Sequence, residues 1–300
     1  MSDDFDSLHA SALFEAQHGR LEKARRLIFD ALKINPRSEG AHLNHGNVLV
    51  ELGCYEEAVA SYKMALSIKP DFPEALYNLG NAQQKLQRYD EAIFSYKSAL
   101  AKRPTCTDTL NALGNALYCL GRLAEAIRAY EKVLSLAPTH IDALNNRGVA
   151  LAALGQYEQA LGSIESALSL NPDYVRALVQ KGTVLQYLKR HEDALAVYDR
   201  VLFFNPQHVD ALNKRGVALK ALRRFIDALA SYDRALCIAP DYFAALVNRG
   251  NVLQDLEMHP QAVSSYAKAL SINPDWEYLR GLFISAKLIV SDWFDLAAQA

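Results

Sequence analysis

ALYNLGNAQQKLQRYDEAIFSYKSALAKRP, residues 75–104, carries two apolar stripes separated by a short break. In the first, Leu76, Leu79, Ala82 and Leu86 recur at intervals of three and four, the spacing of one helix face. The second stripe, Tyr89, Ala92, Ile93, Tyr96, Ala99 and Leu100, follows after Gln87-Arg88. Pro104 closes the stretch, because proline has no N–H to donate and its ring clashes with the preceding turn. The pattern predicts a pair of antiparallel helices joined by a tight turn.

The same wording returns along the chain. Eight of the ten prolines, Pro36, Pro70, Pro104, Pro138, Pro172, Pro206, Pro240 and Pro274, stand 34 residues apart. Taking each as position 32 of a repeat gives eight repeats over residues 5–276, a four-residue N-terminal tail before them, and a degenerate ninth over 277–300. Other columns then align. Position 8 is Ala12 in the first repeat and glycine in the other seven, from Gly46 to Gly250. Position 20 is alanine and position 28 leucine in all eight. Position 24 is tyrosine in six, with Ile28 and Ile164 in the other two. Glycine inside a helix costs roughly 1 kcal/mol against alanine, so its recurrence predicts close helix-to-helix approach, with the position 20 alanine facing the same seam. A pair of helices this small cannot bury its stripe alone, and stacking into an all-α solenoid is physically required.

Composition adds exclusions. The chain is 51% hydrophobic and 22% charged with a formal net charge of -2, which favours neither nucleic acid nor an anionic membrane as partner. Met1 is followed by SDDFDS, without the basic and apolar regions of a secretory signal. No apolar run approaches the roughly 20 residues that cross a bilayer. Cys54, Cys106, Cys119 and Cys237 form no C-x-x-C pair, as expected of reduced thiols in a cytoplasmic protein. No phosphate loop, nucleophile elbow or carboxylate constellation stands out, so neither a catalytic site nor a cofactor is expected in this chain.

Period, small residues, aromatic and terminal proline together resemble the tetratricopeptide repeat over residues 5–276. The resemblance implies a right-handed superhelix of antiparallel helix pairs, with first helices lining a concave groove and second helices facing outward. It also implies proteins or extended peptides as partners.

Asparagine is a poor helix former, so its placement carries information. Of fifteen, Asn35, Asn171, Asn205 and Asn273 precede the terminal proline, a turn role. The other eleven lie in first helices at three columns: Asn111, Asn145 and Asn213 at position 5; Asn44, Asn78, Asn146 and Asn248 at position 6; Asn47, Asn81, Asn115 and Asn251 at position 9. These columns share one face. An amide offers a donor and an acceptor, which suits an extended peptide backbone; the same groups also suit bonds between neighbouring first helices that hold the stack. A carboxylate clamp of the chaperone-adaptor kind finds Asn115, Asn146 and Arg176 in place, with Asn111 and Gln180 where two cations belong. Position 7 is basic in Arg147, Lys181, Arg215 and Arg249, which predicts either an inter-repeat ion-pair row or a lining for an acidic ligand. His42 and His45 share a helix face without an evident third metal ligand.

After Pro274 the columns falter: position 8 becomes Ile284 and position 20 Leu296. Ser291-Asp292 reads as a helix start before Trp293, predicting the second helix of an incomplete ninth repeat whose Trp293, Phe294 and Leu296 still want a neighbour. YLRGLFISAKLIV followed by Ser291-Asp292-Trp293 resembles the junction of O-linked N-acetylglucosamine transferases and SPINDLY-like proteins, with serine for the cysteine of their signature. NNRGVAL and SYDRAL look like bacterial members. This resemblance implies a substrate-recognition arm whose position 6 asparagines grip protein substrates. The carry-over applies to Asn44, Asn78, Asn146 and Asn248 and fails at Ala10, Ala112, Gln180 and Lys214. A free-standing scaffold with residues 277–300 as a solvating cap is the alternative.

Overall fold

The computed structural model describes residues 2–299, and the side chains of residues 4–290. Among them every regular element is an α-helix. The first helices of the repeats are α1 (Ser2–Gln17), α3 (Glu39–Glu51), α5 (Pro73–Lys85), α7 (Thr107–Cys119), α9 (Ile141–Ala153), α11 (Val175–Tyr187), α13 (Val209–Ala221) and α15 (Phe243–Asp255). The second helices are α2 (Leu21–Ile34), α4 (Tyr55–Ile68), α6 (Tyr89–Lys102), α8 (Leu123–Leu136), α10 (Tyr157–Leu170), α12 (His191–Phe204), α14 (Phe225–Ile238) and α16 (His259–Ile272), and α17 (Glu277–Gln299) closes the order. Helix α1 takes in residues 2–4 of the stretch expected as a tail.

Two kinds of turn alternate. Within a repeat, the chain reverses through one residue in the left-handed region at position 15: Gly19, Gly53, Gln87, Gly121, Gly155, Lys189, Arg223 and Glu257, with φ between 59° and 77°. At Gly53 the reversal is tied by Cys54 N–H donating to the Leu49 carbonyl (2.8 Å) and Gly53 N–H donating to the Val50 carbonyl (3.0 Å), which satisfies carbonyls that the helix end leaves open. Between repeats, proline ends the second helix and the preceding asparagine folds the turn: the Oδ1 atoms of Asn35, Asn171 and Asn205 accept from the N–H groups of Arg37, Asp173 and Gln207. Caps then start the next helix, with Ser38 Oγ and the Nδ1 atoms of His140 and His208 accepting from Ala41, Ala143 and Ala211 N–H.

The chain forms two compact units, residues 1–154 and 155–300. In the first, each helix packs on its predecessor and successive first helices also touch, α1 on α3 through to α7 on α9. The second helices are linked across repeats by long side chains, as where Arg25 reaches Glu57 at 2.8 Å. The second unit repeats this plan, with α11 on α13 and α13 on α15. First helices therefore form the crowded face of each stack.

The core corrects one expectation. A Cβ added at Gly80 would stand 2.5 Å from Cε1 of Tyr96, and Gly46, Gly114, Gly182, Gly216 and Gly250 meet Tyr62, Tyr130, Tyr198, Tyr232 and Tyr266 in the same way. The glycine makes room for the position 24 ring of its own repeat, not for the position 20 alanine. The first repeat supports this reading, because there a smaller Ile28 is paired with Ala12, both fully buried.

Helix α17 corrects another. The break expected at Ser291-Asp292 is absent from the backbone, which stays helical from Glu277 to Gln299. A serine or aspartate cap contributes about 0.5–2 kcal/mol. Breaking a helix leaves up to four carbonyls and four N–H groups open, and only a packed return helix offsets that. Leu279 and Ala286 anchor α17 against α15 and α16 in a cluster with Leu246, Ala262 and Tyr266, and Trp276 meets the Phe243 ring at 4.9 Å. The packing expected of Trp293, Phe294 and Leu296 lies outside the described side chains.

Gly80→Ala is expected to lower stability by about 1–3 kcal/mol through overpacking. The double variant Gly80→Ala/Tyr96→Ile, which copies the Ala12–Ile28 pair, should recover most of that, read as the urea midpoint at constant slope. A single variant as stable as the parent removes the ring as the reason for the glycine.

Candidate functional site

The crowded first-helix face carries the asparagines, and the buried tyrosines determine how they point. In the first unit the Tyr62, Tyr96 and Tyr130 hydroxyls each donate to the position 9 oxygen of their own repeat, Asn47, Asn81 and Asn115 Oδ1, all at 2.8 Å. In the second unit Tyr266 does the same to Asn251 at 2.8 Å. Burial pushes the Tyr62, Tyr96 and Tyr266 phenols far above their ordinary pKa, so these three stay protonated donors. With Oδ1 committed to a hydroxyl, Nδ2 is the end of each position 9 amide that the tyrosine does not use.

Position 6 has the opposite polarity. Asn78 Nδ2 donates to Asn47 Oδ1 at 2.9 Å, Asn146 Nδ2 to Asn115 Oδ1 at 3.0 Å and Asn111 Oδ1 at 3.3 Å, and Asn248 Nδ2 to Asn213 Oδ1 at 3.0 Å. Each bond joins a first helix to the one before it. Asn44 opens the row by donating to His9 Nε2 at 2.9 Å, an acceptor because burial holds the His9 ring below its ordinary pKa and neutral. Asn145 and Asn213 are buried, and Asn145 Nδ2 donates to Asn146 Oδ1 at 3.4 Å; the other nine asparagines are half-buried. The expected amides therefore share the first-helix faces and are joined between neighbouring helices at Asn47–Asn78, at Asn111 and Asn115 with Asn146, and at Asn213–Asn248. Their bonds hold the stack and orient what remains free.

Position 12 was not singled out in the sequence and belongs to the same network. Gln84, Gln186 and Gln254 Oε1 lie 3.0, 3.0 and 2.8 Å from the Tyr96, Tyr198 and Tyr266 hydroxyls. The seventh repeat breaks the rule. There position 9 is Val217 and position 12 Lys220, and the fully buried Tyr232 hydroxyl has no partner. Beside Val217 a cleft of about 400 Å³ opens between α11 and α13.

The basic column forms the expected ion-pair row. Arg147, Lys181, Arg215 and Arg249 reach Glu131, Glu165, Asp199 and Asp233 of the preceding repeat at 3.6, 2.8, 2.6 and 2.6 Å. Arg215 and Arg249 also donate to the buried Ser231 and Ser265 hydroxyls at 2.6 Å. In the second repeat the same two columns hold His45 and Phe29, and a cleft of about 400 Å³ replaces the pair. His42 and His45 turn to different partners, the Pro36 carbonyl (3.0 Å) and Ser61 Oγ (2.9 Å). Among the described residues no three His, Cys, Asp or Glu side chains gather as a metal site, and no helix is long and apolar enough to cross a membrane.

Two outcomes follow. Val217→Asn should give the Tyr232 hydroxyl its acceptor and raise stability by about 0.5–1.5 kcal/mol, while Tyr232→Phe in the parent should cost nothing and Tyr96→Phe about 1 kcal/mol, by urea unfolding. Burial first, then Arg25 and His42, hold the His45 ring below its ordinary pKa of 6.5, against Glu57. The unfolded chain then takes a proton near that value while the folded chain resists, so stability present above it falls as pH drops below it. Thermal unfolding at about pH 7.5 and 5.5 should show this loss, and His45→Gln should reduce it.

Comparison with known proteins agrees with this geometry. Models of the tetratricopeptide repeat match residues 73–106, 141–174, 179–243 and 243–275, and a model described as TPR repeat matches residues 46–87 and 114–155. A tetratricopeptide repeat protein from Parabacteroides merdae is 21% identical, with 83% of this chain and 98% of that chain covered at a TM-score of 0.70, a likeness of fold. YrrB, described as a TPR protein with an unusual peptide-binding site, is 25% identical over 62% of this chain and 95% of its own, with a TM-score of 0.52. A chain of the APC/C hetero-tetramer Cut9-Hcn1 is 16% identical over 89% of this chain and 52% of its own, with a TM-score of 0.68. No curated protein sequence matches. With repeat models matched over most of the stretch from residue 46 to residue 275, the chain belongs to the tetratricopeptide repeat family.

Proposed function

We propose that the chain is a protein-interaction module that holds extended peptide segments against its first-helix faces. The observation that carries this reading is the fixed polarity of the amides: at Asn47, Asn81 and Asn251 a tyrosine hydroxyl occupies the oxygen and leaves the N–H groups, and at Asn78 and Asn248 the nitrogen bonds the previous repeat and leaves the oxygen. A peptide backbone carries the same alternation of donor and acceptor, so a row of this kind grips main chain without reading side chains. The amides are already ordered, so little conformational entropy is lost on binding. YrrB, with its peptide-binding site, is a similar chain of the same family.

The glycosyltransferase-arm reading rests on the wording around Ser291-Asp292-Trp293. Every family match is to a repeat model, and none of the solved structures named above is a glycosyltransferase. The interaction-module reading stands without it.

Asparagine-to-aspartate exchange separates stacking from binding, because it keeps the oxygen that a tyrosine needs and removes the outward N–H groups. Asn81→Asp/Asn115→Asp should stay within about 1 kcal/mol of the parent in stability. Its affinity for peptides selected on the parent from a randomised displayed library should fall about tenfold or more, the worth of about 1.4 kcal/mol. Undiminished binding by this variant would assign the asparagines to the stack alone.

A further inference from the structure

The cleft between α11 and α13 departs from the rest of the ladder in three respects. Its wall is apolar and prearranged. Tyr187 is 59% exposed, yet its ring lies flat on Tyr157 at 4.8 Å with 6° between planes, so an incoming group meets a fixed aromatic surface. Opposite it stands Val217, 37% exposed, in the column where four other repeats carry asparagine. The floor is locked, with Gln186 Nε2 donating to the Lys214 carbonyl at 3.1 Å and Asn213 accepting from Asn248 at 3.0 Å.

Its rim is positive. Lys189 and Lys214 line the cleft, and none of the residues lining it is a carboxylate. Lys189 stands exposed on the left-handed turn, without an ion pair among the described residues. Lys214 has only Asp210, at 3.9 Å, and that carboxylate also accepts from the Tyr242 hydroxyl at 3.3 Å. Lys220, by contrast, is neutralised by Asp255 at 3.0 Å.

The third departure is the orphaned Tyr232 hydroxyl behind Val217. Asparagine at position 9 satisfies this hydroxyl in other repeats, so valine here carries an unpaired buried donor, the kind of local cost that functional surfaces retain.

Resting on the groove reading above, we propose that this cleft is a selectivity pocket for a peptide segment in which an aliphatic or aromatic residue stands beside an acidic one. The apolar side chain enters between Tyr187 and Val217, and the carboxylate meets Lys189 and Lys214. The position 6 and 9 amides hold backbone of any sequence, and the pocket adds the choice between sequences.

The test pans a randomised displayed peptide library against the full chain, then measures a synthetic copy of the enriched peptide by fluorescence anisotropy. The expected result is enrichment of an acidic residue adjacent to an apolar one. Binding of that peptide should fall about tenfold in Lys189→Gln/Lys214→Gln, and further in Lys189→Glu/Lys214→Glu, with thermal unfolding unchanged. Tyr187→Ala and Val217→Asn should weaken it through the apolar residue, Val217→Asn while stabilising the fold. Enriched peptides without the acidic-apolar pair, or a pair bound equally well by the charge-reversed variant, overturn the pocket and leave the groove standing, provided that Asn81→Asp/Asn115→Asp still weakens binding. Enrichment of no peptide over background overturns both.

Discussion

A buried phenol has to be accommodated and satisfied, and the two requirements organise most of each repeat. The ring at position 24 fits only where position 8 has no side chain, which is why Gly80 faces Tyr96 and its counterparts repeat the arrangement. The hydroxyl at the ring's far end emerges at the first-helix face and needs an acceptor there, which Asn47, Asn81, Asn115 and Asn251 supply. An unsatisfied buried donor costs about 1–3 kcal/mol, comparable with the overpacking penalty avoided at the glycine. Core packing and surface chemistry are thus joined through a single side chain. On the acceptor the repeats without the tyrosine agree: where position 24 is Ile28 or Ile164, position 9 is Leu13 or Val149, although Gly148 is kept beside Ile164.

That link also fixes which end of each surface amide the core uses. Asparagine alone has no preferred end, and an isolated row of amides would present oxygens and nitrogens indifferently. Bonding one end to the core removes the choice, because the Tyr62, Tyr96, Tyr130 and Tyr266 hydroxyls each take an asparagine oxygen and leave the nitrogen of that amide. The neighbouring repeat completes the alternation by donating from position 6, as Asn78 does to Asn47. Stack cohesion therefore draws on one end of these residues, and the binding proposed above would draw on the other.

Much of this was legible from spacing. The proline clock, the glycine column and the tyrosine column each mark one feature of the helix pair, and the asparagine columns marked the face that the structure brings together. The polarity of the amides was not legible, because it depends on a hydroxyl fifteen residues away that sequence columns list separately. The glycine's partner was misassigned for a related reason: alanine at position 20 and tyrosine at position 24 lie on the same second helix, and spacing alone does not say which one crosses over. Ser291-Asp292 misled because a cap is a local preference, whereas ending a helix depends on whether a second helix folds back to cover it. The cleft beside Val217 is marked only by the absence of an expected asparagine, and its consequence appears once Tyr232 is seen to lack a partner.

The basic column has a different consequence for how the two halves of the chain resist their surroundings. Three of its four pairs, Lys181–Glu165, Arg215–Asp199 and Arg249–Asp233, lie in the second unit, where they connect one repeat to the next through half-exposed charge. The first unit holds the fourth pair, Arg147–Glu131, but places His45, Leu79 and Leu113 at the other points of that column, where neutral amides and apolar contact join ion pairs such as Arg25–Glu57 and Arg88–Glu56 in tying its repeats. Raising ionic strength from about 0.15 M to 1 M shortens the screening length from roughly 8 Å to 3 Å, which weakens the first kind of tie and leaves the second almost untouched. Apolar burial is strengthened by the same salts when they are kosmotropic. Salt and acid thus act on different ties, since screening weakens the ion pairs that the basic column concentrates in the second unit, whereas acid acts on the buried His45 ring of the first.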